Sequence, residues 1–164
     1  MLLLCFSALP AAVAWQYRDS PISNYDYGIA LLFVSVWLIE VVADEQQWNF
    51  QTEKWRLRNA GKKPETEDQR RGFLTKGLFR YSRHPNFWAE QTVWWVFFLF
   101  SVSASRQWLN YSVIGVLQLS LLFQGSTDYT EKLSLKKYPD YADYQKCTSR
   151  LLPWFPGNMP QKKE

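Results

Sequence analysis

Cysteine and histidine are scarce in this sequence. Its 164 residues include two cysteines, Cys5 and Cys147, and a single histidine, His84. The cysteines lie far apart and form no CxxC pair, so neither a disulfide framework nor a zinc site is predicted. One histidine cannot supply a site that needs several imidazole ligands. We therefore predict no bound metal.

The short motifs of the common soluble enzyme classes are also missing. The sequence contains no GxGxxG and no P-loop, so a soluble-type nucleotide-binding fold is not indicated. It contains no GxSxG and no Cys/His pairing, which argues against nucleophilic catalysis of those kinds. Its basic residues are interspersed with acidic ones and separated by membrane-like blocks, so we expect no nucleic-acid partner.

Apolar residues, in contrast, are plentiful and segregated. Four blocks hold most of them, and these cover roughly 3–15, 27–43, 87–104 and 111–123. The mean hydropathy of −0.32 averages over this segregation. Tryptophan and tyrosine, nine of each, often lie at block edges, as expected at a membrane–water interface. We predict an all-α integral membrane helical bundle with three to four spans; the alternative is a soluble helical core rich in aromatics.

The positive charges predict the orientation of this bundle. Ten Lys and Arg residues lie in 44–84 and seven follow residue 125, whereas the other polar connections hold only Arg18 and Arg106. Cytoplasmic loops carry the excess of positive charge, so the 44–84 loop and the C-terminus are both expected to be cytoplasmic. The blocks 87–104 and 111–125 provide the even number of spans that this arrangement needs.

The chain is divided by these features into three segments. Residues 1–25 are expected to be a truncated first span or a signal-like segment, since an A-x-A-like end is present but a basic n-region is not. Residues 26–156 form the membrane domain, and 157–164 are expected to be a disordered tail. After the last span, the pattern predicts a short amphipathic helix from Tyr129 to Lys137, a break at Pro139 and a second short helix.

Two predicted spans carry polar pairs near their cytoplasmic ends. Glu40 and Asp44 are four residues apart, as are Asn86 and Glu90, so each pair lies on one helix face. Pro85 is well placed for a first helical turn. Ionisable groups in spans are costly and usually face a bundle interior or a water-filled cavity. Each acid alone could simply pair with a nearby arginine, but two matched pairs favour a polar pocket open to the cytoplasm.

The basic residues before Asn86 suit a ligand that carries phosphate. They are Arg70, Arg71, Lys76, Arg80 and Arg83. Guanidinium groups are the usual bidentate partners of phosphate. A juxtamembrane basic segment also attracts anionic lipid, but bulk lipid does not account for the neighbouring carboxylates and asparagine. A nucleotide cofactor, which has phosphates, ribose hydroxyls and an amide, accounts for both.

The central motif resembles that of a known membrane family. The stretch GLFRYSRHPNFWAEQ (77–91) is similar to the Gly-Leu-Phe/Trp-x-Tyr-Ser-Arg-His-Pro-Asn-Tyr/Phe-x-x-Glu motif of the steroid 5-alpha-reductase superfamily, especially its uncharacterised "steroid oxidoreductase" branch. ADEQ (43–46) and YPDYADYQKCTSRLLPWFP (138–156) resemble the flanking motifs of that branch. The resemblance covers about 36–156. It implies a reductase-like membrane domain, in the endoplasmic reticulum or another endomembrane.

The resemblance also implies a cofactor and a substrate class. Members of the family bind NADPH from the cytoplasmic side and reduce a carbon–carbon double bond of a lipid such as a steroid enone. Asn86 and Glu90 match the residues that contact the nicotinamide end of the cofactor. Asp44 matches an acid that contacts the adenosine part, and Glu40 falls where relatives have a polar residue. The expected partners are therefore membrane lipids and a hydrophobic small molecule.

Five further residues are expected near this cofactor. Arg71, or else Arg70, falls near an arginine that contacts the phosphates, and Arg83 lies within the motif itself. Glu131 lies near a position that is His in steroid reductases and Glu in related methyltransferases. Tyr129 is expected to line the same pocket.

The sequence also departs from the family's pattern. Relatives have several helices before the one at 27–43, and these supply the Glu and Tyr that hold the substrate carbonyl. Nothing in 1–25 matches them, so no catalytic residue is predicted. One alternative is an enzyme like the isoprenylcysteine carboxyl methyltransferases, which use S-adenosylmethionine and share an Arg-His-Pro motif and a tail acid. They carry two adjacent Glu where this chain has YTEKLS. A non-catalytic, truncated membrane protein is the other alternative.

Overall fold

α-Helices make up most of the residues that the structure describes. A computed structural model describes residues 6–158. Its helices are α1 (Leu9–Gln16), α2 (Asn24–Asn59), α3 (Glu67–Arg71), α4 (Pro85–Ser105), α5 (Val113–Lys137) and α6 (Tyr141–Cys147), with a 3₁₀-helix at Gly77–Arg80. The one extended pairing in this range is an isolated parallel bridge between Ser82 and Ser149. The predicted all-α class is confirmed. Residues 1–5 of the predicted first segment and 159–164 of the predicted tail lie outside the described residues.

Helix α2 is a candidate membrane span. Its most apolar 18-residue window has a mean hydropathy of 1.8, and only 11% of that window is buried. Leu31 and Trp37 are exposed apolar residues of this helix. Soluble monomers rarely expose large contiguous apolar patches, so this surface is consistent with a lipid environment. No other helix within residues 6–158 is long and apolar enough to pass the same test, so the predicted three to four spans are not confirmed.

The same helix continues well beyond the apolar block that predicted it. The polar segment was expected to begin near residue 44, yet α2 ends at Asn59. Residues 44–60 contain no Gly or Pro, and Arg56 pairs with Glu53 at 2.7 Å one turn earlier, which supports a helix on an exposed face. Gly61 then adopts a left-handed φ of 64°, and the N–H of Lys62 donates to the carbonyl of Leu57. This is a glycine-terminated helix end.

A second difference concerns α5. The predicted last span and the predicted amphipathic helix from Tyr129 to Lys137 are one continuous helix, Val113–Lys137. Gly125 did not interrupt it, because a single glycine in a helix costs only about 1 kcal/mol. The second short helix of the tail is present as α6 and ends at Cys147.

The chain divides into two compact units. The first contains residues up to Leu38 and Ala89–Ser126; the second contains Ile39–Trp88 and the residues from Thr127 onward. In the first unit, Phe98 and Val102 of α4 pack against Val116 of α5. Hydroxyl and amide groups hold the connection between α4 and α5.

Three buried polar residues satisfy one another at this connection. The hydroxyls of Ser101 and Ser112 are 3.1 Å apart, and Asn110 Nδ2 donates to Ser101 Oγ at 3.1 Å. Asn110 Oδ1 also accepts from the backbone N–H of Ser112 at 3.1 Å. Buried polar groups are tolerated when they are hydrogen-bonded in this way. These hydrogen bonds hold the beginning of α5 against the last turn of α4.

The second unit has a core of aromatic rings. Phe73, which follows α3, packs against two tyrosines of α6, with ring centroids 5.1 Å from Tyr141 and 5.4 Å from Tyr144. Edge-to-face and offset-stacked pairs of this kind contribute beyond the area that they bury. The cluster joins the loop after α3 to α6.

Gly72 allows a close approach next to this cluster. Its φ is 90°, and a Cβ added there would lie 2.4 Å from Cε1 of Tyr138. Lys54 Nζ of α2 donates to the Gly72 carbonyl at 2.6 Å and to the Tyr138 hydroxyl at 2.9 Å. Lys54 therefore links α2 to both Gly72 and Tyr138.

We expect Gly72→Ala to lower the free energy of unfolding more than Gly61→Ala. Both glycines have a left-handed φ, where an L side chain costs about 1–2 kcal/mol. A Cβ at Gly61 meets nothing within 4 Å, whereas one at Gly72 also collides with the Tyr138 ring. Thermal unfolding of both variants in the same detergent measures the difference. Equal losses would show that the Tyr138 contact is not tight.

Candidate functional site

The motif segment 77–84 is fixed by hydrogen bonds from other parts of the second unit. The backbone N–H of Leu78 donates to Oε1 of Gln46 on α2 at 2.9 Å. The Ser82 hydroxyl donates to the carbonyl of Leu151 at 2.8 Å. Because these contacts tie the segment to α2 on one side and to the chain after α6 on the other, its side chains have defined positions.

Helix α4 starts directly after this segment. Pro85 is its first residue, as predicted, and its missing N–H costs nothing at that position. The N–H of Trp88 donates to the His84 carbonyl at 3.0 Å, which closes the first turn. His84 and Asn86 are thereby placed at the beginning of α4.

A buried ion pair lies at the centre of the site. Arg83 Nε donates to Glu131 Oε1 at 2.7 Å, and a terminal guanidinium nitrogen, Nη2, donates to Glu131 Oε2 at 3.1 Å. The other terminal nitrogen, Nη1, donates to the carbonyls of Gln145 and Thr148. Arg83 was predicted as a cofactor ligand, but its guanidinium is occupied by protein acceptors. These contacts join Arg83 to α5 and to the end of α6, and its predicted contact with the cofactor stays a prediction.

The carboxylate of Glu131 receives two more donors. His84 Nε2 lies 3.2 Å from its Oε1, and Gln145 Nε2 donates to its Oε2 at 2.8 Å. Burial acts to raise the pKa of Glu131, but the hydrogen bonds from His84 and Arg83 and the charge of Arg83 outweigh it and lower the pKa to about 2. Glu131 is consequently ionised throughout the neutral range.

The polar pairs predicted on two helices do meet at one point. Asn86 Nδ2 of α4 donates to Asp44 Oδ1 of α2 at 3.0 Å. Asp44 is exposed and Asn86 is half-buried. Glu40 and Glu90, one helical turn from these residues, are also half-buried. Their roles remain predictions.

A small cavity in the second unit adjoins this cluster. Its volume is about 190 Å³, and its walls include Arg83, His84, Asn86, Phe73, Phe87 and Tyr141. Burial, followed by the charge of Glu131, raises the pKa of Tyr141 to about 12. Its phenol is thus neutral and can donate a hydrogen bond at physiological pH. The cavity combines aromatic walls with hydrogen-bonding groups.

A second cavity of about 310 Å³ in this unit is basic. Arg71, Lys76 and Arg80 line it together with Glu67, and Gly157 and Asn158 close another side. Arg71 is buried and forms an ion pair with Glu67, whereas Lys76 and Arg80 are exposed. The N–H of Gly157 donates to the Cys147 carbonyl at 2.7 Å, so the first residues of the predicted tail form part of this wall.

Two predicted ligands lie away from both cavities. Arg70 is exposed on α3 and lines neither of them, and Tyr129 is 66% exposed on α5. Periodicity explains this outcome for Tyr129, because residues two apart on a helix do not share a face and Glu131 points inward. Of the arginine alternatives, Arg71 is the one that lines the basic cavity.

Sequence reasoning missed two residues of the site. His84 was predicted to belong to the motif but was not among the predicted site residues, although its position between Arg83 and Pro85 was a signal that it lies at the site. Gln145 gave no signal, since nothing in its local sequence indicates that it approaches Glu131. Within residues 6–158 no group of three or more His, Cys, Asp or Glu side chains is arranged to hold a metal ion.

The Glu131 ion pair should make stability depend on pH. Its pKa is about 2 when folded and 4.5 ordinarily, so its stabilisation is complete above about pH 4.5 and is lost as the pH falls toward 2. We expect the free energy of unfolding of the wild type to exceed that of Glu131→Gln by on the order of 3 kcal/mol at neutral pH, and this difference to shrink on acidification. The free energies of unfolding of the wild type and of Glu131→Gln, measured between pH 2 and neutral pH, give this difference.

The exposed pair Lys146–Asp143, at 2.9 Å, provides a control. Surface pairs contribute little, so Asp143→Asn should leave the pH dependence of stability close to that of the wild type. If Glu131→Gln retained the wild-type acid dependence, the carboxylate would not be the group responsible.

Comparison with known proteins places the chain in a family. The family model described as "Protein of unknown function (DUF1295)" matches residues 1–148. The chain is also similar to Uncharacterized protein C594.04c of Schizosaccharomyces pombe, with 40% identity over 143 residues. That match covers 82% of this chain and 40% of the yeast protein, so the chain spans about two fifths of the length of this relative. No solved structure matches this chain significantly. The chain belongs to the DUF1295 family.

Proposed function

We propose that this chain forms the NADPH-binding part of a membrane-embedded oxidoreductase that reduces a C=C bond of a lipid or steroid-like substrate. The observation that carries the proposal is the contact between Asn86 and Asp44, which lie on different helices and match two cofactor contacts of the steroid 5-alpha-reductase superfamily. The polar cavity and the basic cavity of the same unit support it.

The nicotinamide end is assigned to the smaller cavity. Complete ligand pockets usually measure about 300–1,000 Å³, so about 190 Å³ suits one end of a long ligand. The aromatic walls would stack against a flat ring, and the Asn86 amide would bond its polar substituent. Glu90, one turn further along α4, is an expected contact by resemblance.

The phosphates are assigned to the basic cavity. Its three cations outnumber its one carboxylate, and Arg71 is already paired with Glu67. Lys76 and Arg80 are exposed and would supply most of the attraction for phosphate. Asp44 and Glu40 are assigned to the adenosine side.

The membrane arrangement follows from the charge distribution. In this proposal α4 and the apolar part of α5 cross the membrane together with α2, which makes three spans, and the segment 1–25 is the candidate for a fourth. The polar segment 44–84 and the C-terminus face the cytoplasm, where NADPH is available. The endoplasmic reticulum or another endomembrane is the expected location.

The chemistry itself belongs to the cofactor, which supplies the hydride when it is bound. The residues of this chain bind the cofactor, orient its ring and exclude water from it. The substrate-contacting residues are not assigned, because none of the positions that match the superfamily has that role.

We expect the wild-type protein in detergent to bind NADPH. Asn86→Ala should weaken binding about tenfold, the equivalent of one buried hydrogen bond. The double variant Lys76→Ala/Arg80→Ala should lower the affinity for NADPH more than the affinity for NADH. It should also reduce the salt dependence of NADPH binding, because a phosphate loses its charged partners. Glu90→Ala should also weaken binding. Isothermal titration calorimetry measures all four.

Lys63→Ala is the matched control, since it removes an exposed loop charge that lines neither cavity. It should bind NADPH as the wild type does. If the wild type failed to bind NADPH, the proposal would be wrong; binding that is indifferent to Asn86 and Glu90 would overturn the site assignment.

A methyltransferase like the isoprenylcysteine carboxyl methyltransferases is a second candidate. One observation favours it: the Arg-His-Pro motif and the tail acid, which those enzymes share, are in direct contact through Arg83, His84 and Glu131. The cofactor would then be S-adenosylmethionine.

Competition separates the two candidates. In the oxidoreductase, S-adenosylhomocysteine should leave the apparent affinity for NADPH unchanged; in the methyltransferase, it should bind while NADPH does not. Calorimetric titration of each ligand, alone and in the presence of the other, provides the measurement. If neither ligand binds, the remaining hypothesis is a non-catalytic membrane protein.

A further inference from the structure

We propose that His84 is a ligand-binding residue of the smaller cavity, that it accepts a hydrogen bond through Nδ1 from an N–H or O–H group of the ligand, and that Glu131 is the positioning residue that fixes its tautomer. The inference deepens the proposed function and rests on it. It concerns how the cavity recognises the polar end of the cofactor.

Glu131 has no capacity left to bind a ligand itself. Its Oε1 accepts from Arg83 and His84, and its Oε2 accepts from Arg83 and Gln145. The residue is 8% exposed. Four donors on two oxygens occupy the lone pairs that a carboxylate offers. A role for Glu131 must therefore act through one of the groups that it holds.

His84 is the group among them that lines the cavity and can exchange a proton. An ionised carboxylate only accepts hydrogen bonds, so the hydrogen of this contact must be on His84 Nε2. A neutral imidazole that carries its hydrogen on Nε2 presents a lone pair on Nδ1. The contact with Glu131 thus determines which ring nitrogen is left to accept.

The ring of His84 is also held in place from other directions. It stacks on Phe87 with centroids 5.5 Å apart, and its backbone N–H donates to the Ser82 hydroxyl at 3.2 Å. The side chain is about nine-tenths buried, and Nδ1 has no hydrogen-bond partner within residues 6–158. Because His84 lines the smaller cavity, a fixed acceptor on its ring can serve a donor group of a ligand bound there.

The chemistry of the acceptor restricts the ligand. With His84 neutral, Nδ1 selects an amide N–H or a hydroxyl and disfavours a carbonyl or a carboxylate at the same point. The carboxamide and the ribose hydroxyls of the nicotinamide half provide such donors. Asn86, which also lines this cavity, can both donate and accept, so it would take the complementary group.

The chain offers a clean experiment because His84 is its single histidine. Protein labelled with ring-¹⁵N histidine should give one pair of ring nitrogen resonances in detergent. When the ring is in its neutral form, which the two nitrogen resonances themselves report, they should show hydrogen on Nε2 and a bare Nδ1. Saturating NADPH should move the Nδ1 resonance upfield, as expected when a bare nitrogen accepts a hydrogen bond, and should move Nε2 much less.

Two variants test the positioning role. Glu131→Gln removes the obligate acceptor, so the spectrum should become that of a mixture of tautomers and the Kd for NADPH should rise. His84→Phe preserves the stacking on Phe87 but has no ring nitrogen, and its Kd should rise about tenfold, the loss of one hydrogen bond. Lys63→Ala should change neither the spectrum nor the Kd.

The outcomes distinguish this inference from the proposed function. If NADPH binds and Nδ1 does not move, or if the free protein carries its hydrogen on Nδ1, the inference is overturned while the proposed function stands. If NADPH fails to bind the wild type, both are overturned. The wild-type titration is decisive even if a variant does not fold.

Discussion

The ion pair between Arg83 and Glu131 is the interaction on which the second unit depends. Burying two charges costs several kcal/mol for each ion, and the attraction repays this only when the remaining donors and acceptors are satisfied. Here they are: Glu131 has four donors, and Arg83 also bonds the carbonyls of Gln145 and Thr148. The pair therefore joins the end of α5, the motif segment and the end of α6. Loss of either partner would leave the other charge buried and uncompensated.

The rest of the site is arranged around this pair. His84 and Asn86 face the smaller cavity because the segment before α4 is held by Arg83 and Ser82. The aromatic cluster around Phe73 also lines this cavity and connects it to α6. The basic cavity lies in the same unit, with Arg71 neutralised by Glu67 and two exposed cations available. In the proposed function the cavity with aromatic walls would take the ring of the dinucleotide and the basic cavity its phosphates.

Much of the site could be predicted from spacing. The i,i+4 pairs on two apolar segments indicated that polar groups of different helices would meet, and Asn86 does contact Asp44. Spacing could not show that Arg83 points inward while Arg80, three residues earlier, stays exposed, because both precede the same helix in a basic run. Hydropathy likewise could not locate the ends of α2 and α5: it reports the medium around a residue, whereas a helix continues wherever backbone propensity permits.

The sequence alone determined the all-α class, the apolar segment of α2, the start of α4 at Pro85 and the membership of His84, Asn86 and their neighbours in one motif. These depend on local propensity and on short-range periodicity. Tertiary structure alone decided which charges are paired: Glu131 lies 48 residues from Arg83, and Gln145 lies 14 residues beyond Glu131. Such pairings are selected by the desolvation and geometry of groups brought together from distant parts of the chain, and no local pattern encodes them.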